Sequence, residues 1–378
     1  MRILFINNIV SPHITPLLRA VASLVGPDRV AQAVLSRQPS WRRTMGWSEE
    51  VNSWILRPNE SDDHRRQTEE WILQSDLVIC SEREWGMIEN RVKSGRLTFY
   101  AAERWFKPPL AEARLLSPRY LASTLKLRAL AKYSALHYLP IGALAAGDMK
   151  KVVDFQRRVW RWGYFVDTPR LSTRPERAGD CLEVLYVGRL LNWKRVDLLV
   201  RAFASAQTRG ARLRLTLIGD GPERASLERL SRRCQIPTAR MRWLGYCEMK
   251  TVWEQMETSH VLVLPSNGGE GWGAVVGEAM GRGCAVVVNR AAGCAMTLIT
   301  HEKNGLLFAD GDAEELANCL VALARDEGKR AQLAKEGAAT IANEWAPEIA
   351  AERLVQLTQS LQGGIALEFS SGPLSRVY

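Results

Sequence analysis

Val261-Leu262-Val263-Leu264-Pro265-Ser266-Asn267-Gly268-Gly269-Glu270-Gly271-Trp272-Gly273-Ala274-Val275-Val276-Gly277-Glu278-Ala279-Met280 is the stretch that decides the fold. Four consecutive branched apolar residues predict a strand buried on both faces. The next residues hold four glycines between Gly268 and Gly273 and then open a helix. Glycines let the backbone approach a ligand closely, with N–H groups free to donate. The N-terminus of the following helix carries partial positive charge, which suits a diphosphate. Glu270 sits in the loop, where a carboxylate accepts from sugar hydroxyls. Glu278 falls about two turns beyond Glu270 and can accept from a vicinal diol such as a ribose. A flexible turn followed by a surface helix with two unrelated acids is the plainer alternative; the position directly after a buried strand argues against it.

A second stretch has the same build. Leu182-Glu183-Val184-Leu185-Tyr186-Val187 reads as a strand, Gly188 ends it, and Arg189 and Lys194 follow. Two cations at a strand's carboxyl end can neutralise a departing diphosphate. An ordinary basic helix start would look similar, and Arg195 competes for the role. The turn Ile218-Gly219-Asp220-Gly221-Pro222 follows another strand, and Trp243-Leu244-Gly245-Tyr246 could line a base pocket.

Moving outward, apolar runs alternate with amphipathic stretches over the whole chain. Strands are expected at Ile3–Ile6, Leu77–Ile79, Leu97–Tyr100 and His137–Tyr138, then at Leu182–Val187, Leu213–Ile218, Val261–Leu264, Ala285–Val288 and Leu306–Phe308. Helices are expected between them, among others at Val196–Ala206, Glu223–Cys234, Met249–Glu257 and Ala313–Asp326. Such alternation signals parallel sheets covered on both faces. The pattern occurs twice, and 378 residues suit two domains. Asp167–Asp180, rich in Pro, Ser and Thr, reads as the linker. The expected domains are residues 1–167 and 168–345, with the C-terminal stretch 346–378 crossing back to the first; its helical part is Pro347–Leu361. Two open sheets facing each other would hold one substrate on each side of a cleft.

The first half is chemically distinct. Residues 1–170 hold 26 Lys and Arg against 17 Asp and Glu, nearly all of the chain's +10 charge, and 8 of the 13 tryptophans. That suggests an anionic partner: lipid headgroups, a phosphorylated glycan or nucleic acid. A basic surface tuned only for solubility is the alternative. Arg114–Lys132 contains five cations and no acid, with Leu and Tyr at roughly helical spacing. This fits a basic amphipathic helix on a membrane surface and, equally, a core helix with a solvated basic face. Asn7–Pro16 and Ala101–Lys107 follow strands. They offer His13 as a contact to donor phosphate or acceptor, and Glu103 as a catalytic or acceptor-orienting group. A loop histidine is often only polar surface, and Glu103 could simply pair with Arg104 or Lys107.

Seven scattered cysteines, an odd number without a Cys-x-x-Cys pair, argue against a disulfide framework and a zinc site. No run is long and apolar enough for a membrane span or a signal peptide. A cytoplasmic location is expected.

Together these residues resemble glycosyltransferase family 4, the retaining family with the GT-B fold of two Rossmann-like domains. The resemblance rests on Gly188, Arg189 and Lys194, on the Ile218–Pro222 turn, and on the Glu-x7-Glu spacing of Glu270 and Glu278. It covers most of the second half. It implies that Arg189 and Lys194 hold the donor diphosphate, with Gly188, Gly219, Gly245 and Tyr246 around the nucleotide. It implies that Glu270 binds the donor sugar beside the backbone of Gly271, Trp272 and Gly273, and that Glu278 binds the ribose. No metal and no separate cofactor are expected. The first loop departs from the family: Ser11-Pro12-His13 stands where many members are glycine-rich. The implied reaction is sugar transfer from a nucleotide-diphosphate sugar with retention, by front-face displacement. The acceptor is expected to be a lipid-linked or cell-surface glycan intermediate, with the enzyme peripheral at the inner membrane face. A small natural product or modified DNA is the alternative acceptor, nucleic acid being the weaker partner. A nucleotide-sugar binding protein without activity is the non-enzyme reading, which the intact acid and cation pairs oppose.

Overall fold

A computed structural model describes residues 1–39, 42, 52–168 and 181–377. Most of the expected linker, residues 169–180, lies outside these, as do Trp41 and Trp47. The described residues form two compact units. One is built from residues up to Val166 together with Glu344 onward, the other from Asp167–Asn343.

The first unit contains β1 (Ile3–Asn7), β2 (Val30–Val34), β3 (Ile55–Leu56), β4 (Leu77–Cys80), β5 (Thr98–Ala102) and β6 (Leu136–Pro140) in the order β3-β2-β1-β4-β5-β6. The second contains β7 (Leu182–Val187), β8 (Leu213–Ile218), β9 (Met241–Gly245), β10 (Val261–Leu264), β11 (Ala285–Asn289) and β12 (Leu306–Phe308) in the order β12-β11-β10-β7-β8-β9. All these pairings are parallel. Numbered within its own unit, each sheet has the doubly wound order 3-2-1-4-5-6. Strand order therefore reverses between β1 and β4 in one unit and between β7 and β10 in the other. Ligands bind outside the carboxyl ends of the strands at such switch points.

Every strand expected from the apolar runs is present. Three strands have no such run to announce them. β2 carries the buried polar Gln32, whose amide donates to Asn7 Oδ1 at 3.0 Å. β3 has only two residues, and Arg242 interrupts β9. Each owes its conformation to pairing with a neighbour rather than to its own composition.

Valine, leucine and isoleucine fill both faces of each sheet, and amphipathic helices cover them. In the second unit Leu199, Val200 and Phe203 from helix Val196–Thr208 meet Leu316, Leu320 and Leu323 from helix Ala313–Arg325 over β7 and β8. In the first unit the last long helix, Pro347–Gly363, packs on helix Thr15–Val25 and buries Leu354 and Leu357.

The basic stretch is not one helix. A short 3-10 turn, Ala111–Leu116, is followed by helix Pro118–Leu130. Pro118 has no N–H to continue a preceding helix and is placed to start a new one. Leu127 and Leu130 face the core, while Leu121 and Leu125 face outward with Arg119 and Lys132. Lys126 is paired with Glu89, and Arg128 donates to the Val152 carbonyl at 2.6 Å. Among the described residues no helix is long and apolar enough to cross a membrane.

Candidate functional site

The switch point of the second unit is where the two opening motifs meet. β7 delivers Gly188, Arg189 and Lys194; β10, its direct neighbour, delivers the glycine-rich loop. Lys194 Nζ forms an ion pair with Glu270 Oε2, across 76 residues of sequence. Both side chains are largely buried, 15% and 10% exposed.

Close backbone contacts set this geometry, and glycines permit them. Gly219 has φ +122°, and a Cβ there would lie 2.0 Å from the Gly188 carbonyl oxygen. Its N–H donates to the Gly245 carbonyl at 2.6 Å, so the turns after β7, β8 and β9 are stacked. The Tyr186 hydroxyl donates to the Arg189 carbonyl at 3.1 Å from a fully buried ring. Tyr246 is exposed, with its hydroxyl 3.3 Å from the Asp220 carbonyl.

The loop after β10 is braced on two sides. On one, Asn267 N–H donates to the Trp193 carbonyl at 3.0 Å. On the other, Gly293 N–H reaches the Glu270 carbonyl at 3.2 Å, and Cys294 N–H the Trp272 carbonyl at 2.8 Å. The indole of Trp272 is 1% exposed, so it anchors the loop and leaves only its backbone for a ligand. Asn289 donates to the Pro265 carbonyl at 3.1 Å and to Asp310 Oδ1 at 2.8 Å, fixing the loop's origin. Gly273, at φ +95°, turns the chain into helix Ala274–Gly281.

Glu278 lies on that helix and is buried. Burial pushes its carboxyl up to about 7, opposed by the Arg282 guanidinium. Arg282 itself lies over the Trp253 ring at 4.6 Å and donates to the Glu278 carbonyl at 3.3 Å. The raised value fixes a sign. Stability from the neutral carboxyl is fully present below its ordinary 4.5 and is lost as pH rises through about 7. The full loss corresponds to about 3 kcal/mol. Glu278→Gln should abolish this slope, so the variant's unfolding free energy should rise relative to the wild type's between pH 5 and pH 8 in denaturant titrations. Parallel pH profiles for the two proteins would refute the burial argument.

In the first unit His13 and Glu103 come together through a residue that no sequence signal marks. The Tyr164 hydroxyl donates to Glu103 Oε1 at 2.9 Å, and its ring stacks on His13 with centroids 5.8 Å apart. Lys107 pairs with the other oxygen of Glu103, whereas Arg104 turns to Asp148 at 3.1 Å. Burial lowers His13 to about 4, with Arg42 adding to the effect and Glu103 opposing it. Its imidazole is neutral near pH 7 and offers hydrogen bonding, not charge. Tyr164→Phe should cost about 1 kcal/mol of stability, the net worth of a hydrogen bond, which chemical denaturation checks.

Among the described residues no cluster of three His, Cys, Asp or Glu side chains could hold a metal ion. All seven cysteines are free, four of them buried.

Two parallel six-stranded sheets, each of this doubly wound order, give the GT-B fold. Comparison with known proteins agrees. Residues 168–340 match the family described as Glycosyl transferases group 1. The putative colanic acid biosynthesis glycosyltransferase WcaL of Escherichia coli K12 is 27% identical over 230 residues, 59% of this chain and 56% of WcaL. The lipopolysaccharide core biosynthesis glycosyltransferase LpsE of Rhizobium meliloti is 28% identical over 195 residues, 52% of this chain and 54% of LpsE. The chain thus spans about half the length of these curated relatives. Among solved structures, HepE of Anabaena in complex with UDP superimposes with a TM-score of 0.71 at 18% identity, covering 95% of this chain and all of HepE. At that identity the likeness concerns the fold.

Proposed function

We propose that the protein is a retaining glycosyltransferase of family 4 that takes a sugar from a nucleotide-diphosphate donor held by the second unit. The observation that carries this reading is the meeting of Lys194 and Glu270 at the switch point between β7 and β10. A carboxylate for sugar hydroxyls and a cation for the outer phosphate are the two groups such a donor needs side by side. Arg189 shares the diphosphate with Lys194. Gly188, Gly219, Gly245 and Tyr246 border the nucleotide, and Glu278 accepts from the ribose. A UDP-bound relative of the same fold is consistent with this.

Chemically, the acceptor oxygen forms a bond to the anomeric carbon on the face from which the nucleoside diphosphate departs. The acceptor proton passes to the departing phosphate oxygen. Arg189, Lys194 and the N-terminus of helix Ala274–Gly281 stabilise the charge that develops on that phosphate. These cations serve the leaving group in this reading, so no metal and no cofactor is assigned.

We assign the acceptor to the first unit, through Glu103 and His13. WcaL and LpsE carry names from polysaccharide and lipopolysaccharide synthesis. This supports a lipid-linked or cell-surface glycan as acceptor, in the cytoplasm at the inner membrane face. The outward leucines of helix Pro118–Leu130 beside Arg119 and Lys132 favour a peripheral membrane position. The deciding experiment is a panel of UDP-, GDP-, ADP- and dTDP-sugars, read by release of the nucleoside diphosphate. One donor should stand out; no binding and no turnover with any would sink the reading.

A further inference from the structure

Trp193 stands in the second unit directly before Lys194, partly exposed, with no role in the reading so far. Three of its contacts fall on the residues of the proposed donor site. Its carbonyl accepts from Asn267 N–H at 3.0 Å. Its side chain is the wall beside Gly269: a Cβ built there would lie 3.4 Å from both Cβ and Cδ2 of Trp193. Its ring carries the ammonium of Lys194, 4.5 Å from the centroid.

The third contact has a mechanical consequence. A lysine head sits on four rotatable bonds and loses much freedom when fixed. Glu270 holds it from one side, but a diphosphate would compete with that carboxylate for the same charge. An indole face attracts the ammonium through its quadrupole without supplying a counter-charge. It can therefore hold Lys194 in place while the phosphate replaces Glu270 as its anionic partner.

We infer that Trp193 is a positioning residue for the outer phosphate of the donor, acting through Lys194 and through the loop face at Gly269. The inference rests on the donor-site reading. It also makes a demand on nucleotide length. Only a diphosphate reaches Lys194, so the tryptophan matters for a nucleoside diphosphate and not for the monophosphate.

The test is isothermal titration of wild type, Trp193→Ala and Trp193→Phe with the di- and monophosphates of uridine, guanosine, adenosine and deoxythymidine, with thermal unfolding of each variant beside it. For whichever base binds, Trp193→Ala should weaken the diphosphate about tenfold, within the range of a partly desolvated cation–π contact. The monophosphate should stay within about twofold, and Trp193→Phe should recover most of the loss because it keeps an aromatic face. Equal affinity of wild type and Trp193→Ala for the diphosphate would overturn the inference alone. So would parallel losses for diphosphate and monophosphate, which mark a merely structural residue. If wild type binds none of these nucleotides, the donor-site reading falls and the inference with it.

Discussion

Gly293→Ala should abolish donor turnover in a protein that still folds. A Cβ at this position would lie 1.8 Å from the Gly271 carbonyl oxygen and 2.5 Å from its carbon. Both are backbone atoms, so no side-chain rotation relieves the clash. One of two chain segments must move by more than an ångström. The hydrogen bonds from Gly293 to Glu270 and from Cys294 to Trp272 cross that same contact. The segment that faces Gly293 is thus the one that carries Glu270, the carboxylate proposed to bind the donor sugar. A displacement of this size in a catalytic constellation costs about a hundredfold in rate. Overpacking a tight site costs about 1–3 kcal/mol of stability. The expected result is a variant with near-native circular dichroism, a lowered Tm and at least a hundredfold loss in nucleoside diphosphate release. Activity within about threefold of wild type would show that the loop tolerates the shift and that Glu270 is not placed by it.

The second large effect concerns the ion pair itself. Lys194 and Glu270 are mostly shielded from water, so deleting one strands the other. An unpartnered buried charge typically costs 3–5 kcal/mol, or about 1–2 kcal/mol where solvent still reaches it. Activity should suffer more, because in the proposed reading the pair acts together on the donor. Lys194→Ala removes charge stabilisation from the leaving phosphate, a loss of about a hundred- to a thousandfold in kcat. Glu270→Ala removes the sugar contact and frees Lys194, and should be equally damaging. The double variant should be barely worse than the poorer single one, since residues acting as a unit are not additive. Steady-state kinetics on the donor identified by the panel gives all three values. Full multiplicativity would mean that the two residues act independently and that their pairing has no functional meaning.

How these residues became visible differs from case to case. Glu270, Glu278, Arg189 and Lys194 were legible because each follows a strand that its own composition announces, and a strand-to-helix turn is a local structure. Trp193 lay inside a quoted motif but had no spacing rule to distinguish it from any other aromatic. Gly293 and Tyr164 carried no local signal. Gly293 matters because a second loop crosses beneath Gly271, and Tyr164 because its segment returns to both His13 and Glu103. The expectation of a single basic helix over Arg114–Lys132 missed the break at Pro118. Of the charges there, Lys126 and Arg128 found partners, while Arg119 and Lys132 face outward.

By itself the sequence determined the two α/β halves and their parallel strands. Uninterrupted runs of branched apolar residues can be buried only on both faces, and that requires helices above and below. It also marked the loops in which glycines and charges stand directly after those runs. Only the tertiary structure decided the strand order. That order sets β7 beside β10, brings Lys194 to Glu270, stacks Gly219 on Gly188 and seals Glu278 away from water. The physical reason is that periodicity records which face of a segment is buried, whereas the identity of its neighbour follows from how the whole sheet packs.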